Sequence, residues 1–270
     1  MLAEHRRARL LEMVRVRRFA SLPELAEELA VSESTVRRDL QQLEEQGSAR
    51  RIHGGVLYTG ASPKFPHFEA AQPDQWQQKR AIAGKALELI EDGDTLLLDG
   101  GSTTYELARL LVGRPLHVVT NSMPVASLFA TDPVSDLLFI GGNVCSRSAV
   151  ARGPYADKML EMVHVRRAFL SVAAINDEGC FNNDLMLVET ERALMRAAEE
   201  VVIVADSTKF GRQSLAHVCP LGEIDYVVVD GRIDPAWQRK LASAEVRVLV
   251  AEEELLSDAG LAAAKAPQPA

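Results

Sequence analysis

The sequence predicts a two-domain α/β protein, an N-terminal winged helix-turn-helix followed by a mostly parallel α/β domain. Three observations carry this expectation. Residues 21–58 pass from helical to alternating periodicity around paired glycines. From residue 95 to 251, short runs rich in Val, Leu and Ile alternate with amphipathic stretches. Between these regions, Gly60, Pro63, Pro66 and Pro73 stand in a segment with little apolar periodicity, the composition of a linker. The expected boundaries are 1–58 for the head, 59–73 for the linker, 74–256 for the larger domain and 257–270 for a tail that frays.

The head begins with a basic helix, in which Arg6, Arg7, Arg9, Arg15, Arg17 and Arg18 face only Glu4 and Glu12. Ser21 and Glu24 then have the spacing of a capping box, Pro23 falls in a first turn, and Leu22, Leu25, Ala26 and Leu29 recur on one side. Val31 and Ser32 break that pattern, and Ser32 can cap a second helix whose Val36, Leu40 and Leu43 form one apolar stripe. Ser34, Arg38 and Gln41 point the opposite way, with Thr35 and Arg37 on the flanks. Hydroxyls and guanidinium groups in the first turns of a helix can bridge phosphates and read guanine edges. After Gly47, Ala49 to Val56 alternates around Gly54 and Gly55 with Arg50, Arg51 and His53, as a wing does. Solvated arginines on a small helical domain would explain the charge without explaining the wing.

The run Val31-Ser-Glu-Ser-Thr-Val-Arg-Arg-Asp-Leu40, followed by Arg51-Ile-His-Gly-Gly55, resembles the N-terminal signature of the DeoR family of bacterial sugar-metabolism regulators. The chain has a formal net charge of -8, but the local clusters of arginine decide phosphate attraction over a Debye length of about 8–10 Å.

In the larger domain, strands are expected at 95–99, 117–120, 136–140, 168–174, 201–206, 226–230 and 247–251, with helices at 105–111, 123–129, 155–163 and 189–199. Ligands of open α/β sheets sit at the carboxyl ends of strands. Four such ends are polar or glycine-rich: Asp99-Gly100-Gly101-Ser102-Thr103-Thr104, Asn121-Ser122, Gly141-Gly142-Asn143, and Asp206 to Gly211. Backbone N–H groups at Gly101, the positive end of the following helix and the hydroxyls of Ser102, Thr103 and Thr104 suit a phosphate. Small residues that merely pack a helix on a strand would read the same way. Lys209 would add a cation, and Asp99, Asp184, Glu189 and Asp206 could accept sugar hydroxyls, although a helix cap or surface ion pair accounts for each acid as well. Cys145, Cys180 and Cys219 stand far apart, without zinc-ligand spacing, and are expected to be reduced and structural.

The resemblance extends from about Arg6 to Asp230 through Asp99-Gly-Gly-Ser-Thr-Thr104, Val119-Thr-Asn-Ser122, Ile140-Gly-Gly142, Gly153-Pro154 and Ala205-Asp-Ser-Thr-Lys-Phe-Gly211. It implies a sensor domain similar in fold to ribose-5-phosphate isomerase, and a repressor released from double-stranded operator DNA by a phosphorylated sugar or related metabolite. Two departures stand out: 169–175 lacks the glycines usual there, and Glu189-Thr190 replaces the common Glu-Ala. A homodimer or homotetramer is expected, because one winged domain offers few base contacts. An isomerase-like enzyme is the alternative and an oligomeric scaffold a third. No histidine lies in the four turns, and neither catalytic nor metal-ligating residues nor a cofactor are expected. No apolar run has the length of a membrane span or the flanks of a signal peptide, which makes a cytoplasmic location the expectation.

Overall fold

The computed structural model describes residues 3–17, 19–45, 49–52, 55–58 and 75–252. The chain divides into two compact units, Met1–Lys64 and Phe65–Ala270; the expected linker and tail lie outside the described residues.

The first unit runs α1 (Ala3–Arg17), β1 (Phe19–Ser21), α2 (Leu22–Leu29), α3 (Glu33–Glu45), β2 (Ala49–Ile52) and β3 (Gly55–Tyr58). The capping box forms: Glu24 N donates to Ser21 Oγ at 3.4 Å, and Ser21 N donates to Glu24 Oε2 at 2.9 Å. Caps of this kind are worth about 1 kcal/mol. Ala30 takes a left-handed conformation, φ 52°, and Ser32 Oγ accepts from Thr35 N at 3.3 Å where α3 begins. The helices meet over Leu10, Val14, Leu25, Leu29, Val36, Leu40 and Leu43, with Val56 from β3 closing the core. At roughly 1.5–3 kcal/mol per buried aliphatic side chain, this small core holds the unit together. A paired charge completes it: Arg6 donates to both Asp39 oxygens, at 2.5 and 3.1 Å. The wing is three-stranded in the order β1-β3-β2, since Phe19 to Ser21 pairs with β3, a strand the sequence did not announce.

The second unit contains α4 (Trp76–Ala86), β4 (Thr95–Leu98), α5 (Ser102–Leu111), β5 (His117–Thr120), α6 (Met123–Phe129), β6 (Asp136–Phe139), β7 (Asn143–Cys145), β8 (Val150–Arg152), α7 (Pro154–Leu160) and β9 (Val165–Leu170). There follow β10 (Ala174–Asn176), β11 (Gly179–Asn182), α8 (Leu185–Arg196), β12 (Ala198–Val204), β13 (Ala216–Cys219), β14 (Tyr226–Asp230), α9 (Pro235–Ser243) and β15 (Arg247–Ala251). Seven strands form one sheet in the order β15-β14-β12-β9-β4-β5-β6, and every pairing within it is parallel. Successive residues feed opposite cores: Leu97, Ala168 and Ile203 pack with α7 and α8, whereas Leu96, Leu98, Phe169 and Val202 pack with α4, α5 and α6. A strand buried on both faces reads as a continuous apolar run, which is why these strands were legible.

One expectation needs correction. Residues 168–174 are not one strand: β9 ends at Leu170, Ser171 N turns to Asp99 Oδ2 at 3.5 Å, and β10 joins a separate sheet, β10-β11-β13. Cys180 and Cys219, far apart in sequence, are register partners across β11 and β13; they and Cys145 are free thiols.

The chain leaves β4 toward β5 and β6, then returns to β9 on its other side. That reversal beside β4 is the position where such sheets open a crevice. Here the backbone approaches its neighbours closely. A Cβ on Gly100 would stand 2.1 Å from Val150 Cγ2, and one on Gly101 would stand 2.4 Å from Ser171 Cβ. Gly101→Ala is therefore expected to cost about 1–3 kcal/mol by overpacking, a drop of roughly 3–10 °C in the unfolding midpoint. Adding Ser171→Gly should recover most of that loss in calorimetry; no recovery would refute the contact as the cause.

Candidate functional site

In the first unit, α3 divides into two faces. Val36, Leu40 and Leu43 are 0–3% exposed, while Ser34, Arg37, Arg38 and Gln41 are exposed and Thr35 is half-buried. Ser34 and Thr35 hydroxyls both reach Ser32 Oγ, at 2.8 and 2.9 Å, so the start of the helix presents a linked row of hydroxyls. Arg37 lies 3.3 Å from Glu33 Oε2, a solvent-exposed pair that phosphate can displace at little cost. The β2 backbone carrying Arg50 and Arg51 pairs with β3; their side chains, and His53 altogether, fall outside the described residues. Arg6, counted with the basic helix, is committed to Asp39 instead.

In the second unit, β4 ends at Asp99, which is 2% exposed. Gly101 N donates to Thr104 Oγ1 at 2.8 Å, and that hydroxyl donates back to Gly101 O at 2.9 Å. Thr104 is thus fully buried and closes the start of α5, which corrects the expectation that its hydroxyl and the Gly101 N–H would both meet a ligand. The first-turn N–H groups of α5, from Ser102 on, have no intrahelical acceptor by geometry and keep the helix's positive end directed at this corner. Ser102 is half-buried and Thr103 is 5% exposed.

Beside β4, Asn121 and Ser122 follow β5 and are both fully buried. Ser122 Oγ accepts from Val125 N at 3.4 Å and caps α6, whereas Asn121 Nδ2 donates to Ala151 O at 3.1 Å and ties in β8. Gly141 and Gly142 follow β6. Gly142 has φ 154° and would place a Cβ 3.0 Å from Arg152 O, so that turn serves close packing against β8 and α7. Asp184 caps α8, accepting from Leu187 N at 3.1 Å, and also pairs with Arg152.

On α8, the expected acid Glu189 faces solvent. Glu189 is exposed and pairs with Arg192 at 2.8 Å, while Glu191, half a turn on, is 1% exposed and accepts from Asn182 Nδ2 at 2.5 Å. Two positions off round a helix is about 200°, enough to carry the carboxyl from solvent to the interior. Thr190 between them accepts from Gly153 N at 3.0 Å and donates to Asp157 Oδ1 at 2.7 Å, binding α8 to α7. Lys209 lies on the turn after β12, with β9 between β12 and β4. The neighbouring Asp206 is 1% exposed and accepts from Thr208 N at 3.1 Å, a turn cap. The structure therefore gathers Asp99, the α5 start and Asn121 around the end of β4, adds Ser171 and Glu191, and leaves Glu189 outside.

Burial pushes the Asp99 carboxyl up to about 6, with the Gly100 and Ser171 N–H groups pulling it down. Burial, and then the charge of Asp99, holds the Glu191 carboxyl well above the usual carboxylate range. Two acids close enough to perturb each other in a dry site cannot both ionise cheaply. Among the described residues, no group of His, Cys, Asp and Glu has the arrangement of a metal centre, and no helix is long and apolar enough to cross a membrane.

Comparison with known proteins agrees with both units. Residues 6–60 match the DeoR-like helix-turn-helix domain and residues 74–231 the DeoR C terminal sensor domain. The chain is 31% identical over 255 residues to the HTH-type transcriptional regulator YgbI of Escherichia coli K12, covering 94% of this chain and all (100%) of that one. It is 32% identical over 252 residues to a putative aga operon transcriptional repressor of Escherichia coli O157:H7, covering 92% and 94%. Among solved structures, ribose 5 phosphate isomerase A from Neisseria gonorrhoeae aligns over 49% of this chain and 52% of its own, with 17% identity and a TM-score of 0.37. The two Escherichia coli relatives are named as a transcriptional regulator and a transcriptional repressor. With an exposed polar face on α3 in one unit and a parallel sheet whose chain reverses beside β4 in the other, the chain belongs to the DeoR family of transcriptional regulators, pairing a DNA-binding helix-turn-helix domain with a small-molecule sensor domain.

Proposed function

We propose that this regulator represses a carbohydrate-utilisation operon and leaves its operator when a phosphorylated sugar or related metabolite occupies the crevice beside β4. The observation that carries the DNA half of this reading is α3, whose apolar face is sealed while Ser34, Arg38 and Gln41 stand exposed. In a winged helix-turn-helix that face enters the major groove, with Thr35 and Arg37 on its flanks and Arg50, Arg51 and His53 in the wing meeting phosphates. The reading of the effector rests on the α5 start, where Gly101, Ser102 and Thr103 surround free helix N–H groups suited to an anion, with Lys209 as an added cation. The relative named as an aga operon transcriptional repressor supports repression of an operon. The effector acts only through differential affinity: it must prefer the arrangement that does not hold DNA. Pairing two recognition helices on repeated half-sites calls for a homodimer or homotetramer, working in the cytoplasm where the chromosome is.

Two experiments test the halves separately. Arg38→Ala is expected to lower affinity for the operator about 10–100-fold in fluorescence anisotropy, without a shift in thermal unfolding; undiminished sequence-specific binding would remove α3 as the reading helix. For the parent protein, log affinity should fall linearly with log salt. The double variant Ser102→Ala/Lys209→Ala is expected to raise the sugar-phosphate concentration needed for operator release by tenfold or more. An unchanged release curve would move the anion site elsewhere.

A further inference from the structure

The seven-stranded sheet ends on two strands, β15 and β6, and the two edges differ. On β15, Val248, Leu249 and Val250 are half-buried and pack into the two cores, with α4 and α9 against the strand. On β6, Leu138 is 45% and Phe139 37% exposed. Leu138 is the register partner of Val119 and lies on the α7 and α8 face of the sheet, whereas Leu137, beside Val118, turns to the other core. Val134 before the strand and Val144 on β7 after it are exposed as well, so apolar surface continues past both ends of the edge.

The main chain of this edge is open too. Asp136 N donates to Leu116 O and Ile140 N to Thr120 O, so the even-numbered residues turn their N–H and C=O groups to β5, and Leu137 and Phe139 turn theirs outward. No described strand pairs on that side. Exposed sheet edges are commonly guarded by lysine, proline, a bulge or a covering element; β6 carries one charge, Asp136, at its first residue.

Two properties of the strand select its own copy as the occupant. Antiparallel pairing about a twofold axis matches identical edges. The register that uses both outward residues sets Leu137 against the partner's Phe139 and brings Leu138 onto the axis, against the partner's Leu138. It also separates charge. Asp136 then faces the partner's Ile140, and the two Asp136 carboxylates stand about 13 Å apart along the strand, beyond the screening length of about 8 Å. From Leu137 to Ala151 the one permanently charged residue is Arg147, so the acidic end of each strand meets a neutral or basic stretch of the other.

We propose that β6 is the seam of a dimer, joining two seven-stranded sheets into one by antiparallel β6–β6 pairing centred on Leu138. A stable dimer buries about 1,200–2,000 Å², more than four residues of strand provide, and the exposed Phe139, Val134 and Val144 extend the contact. The inference rests on the homo-oligomer reading above and names the surface that serves it.

The test uses the full-length protein in sedimentation velocity and non-reducing electrophoresis. Leu138→Asp and Leu138→Lys each bring like charges together on the axis, and each is expected to halve the mass of the assembly with unchanged far-ultraviolet circular dichroism. Mixing the two variants should restore the mass, because opposite charges then meet; a misfolded variant gives no such rescue. In a Cys145→Ser background, Leu138→Cys is expected to form a covalent dimer on mild oxidation, since a directly opposed, non-hydrogen-bonded antiparallel pair has Cα atoms about 4.5 Å apart, within disulfide reach. Asp136→Cys, about 13 Å from its copy, is expected not to. An assembly whose mass survives both charge variants, or that gives no Leu138→Cys cross-link, overturns the β6 seam and leaves the oligomer reading standing. A monomeric parent protein overturns both.

Discussion

The sensor unit depends on how tightly the backbone at the end of β4 can approach the side chains of its neighbours. Gly100 lies against Val150 of β8 and Gly101 against Ser171 beyond β9, both at distances that no Cβ would permit. Because those two residues lack side chains, a strand end, a hairpin and a helix start can meet at the point where the chain reverses its direction across the sheet. Water is squeezed out in the process. Asp99, one residue earlier, is left in a dry setting that favours its neutral form, and the chemistry of the corner follows from that exclusion.

Buried acids are handled in two ways, and matched ones occur in both units: Asp94 in the sensor is met by Arg166 at 2.5 Å. In the head, Asp39 is covered but receives a two-pronged guanidinium from Arg6; the charge is matched where it is made, and the pair joins α1 to α3 rigidly. In the sensor, Asp99 and Glu191 are covered without a cation among the described residues. A matched charge is suited to holding a scaffold. An unmatched one is a cost that ligand binding can remove, and natural sites accept such costs where function requires them.

Much of the molecule was legible before any coordinate. The α2 capping box was readable because its bonds span three residues, and the stripe of Val36, Leu40 and Leu43 because helical period alone decides it. Strands such as His117–Thr120 and Tyr226–Asp230 were readable because both faces are covered. Local pattern failed where the partner is remote. Glu189 was named without reference to which side of α8 meets the sheet, and nothing in 184–191 states that. Thr190, noted as an unusual residue in its place, proved to bridge Gly153 and Asp157, contacts more than thirty residues away. Cys180 and Cys219 became neighbours only through a strand pairing.

The sequence by itself determined the elements, their order, the division into a basic head and an open α/β sensor, and the strand ends at which a ligand could sit, because period, caps and turns act over a few residues. Tertiary structure alone decided which of those polar groups are spent internally and which remain. Thr104, Ser122 and Asp206 were consumed by caps and turns, while Asp99, Asn121 and Glu191 each kept an oxygen with no partner among the described residues. The physical reason is that hydrogen-bond satisfaction is a count over all neighbours in space, and most of those neighbours are supplied by distant parts of the chain.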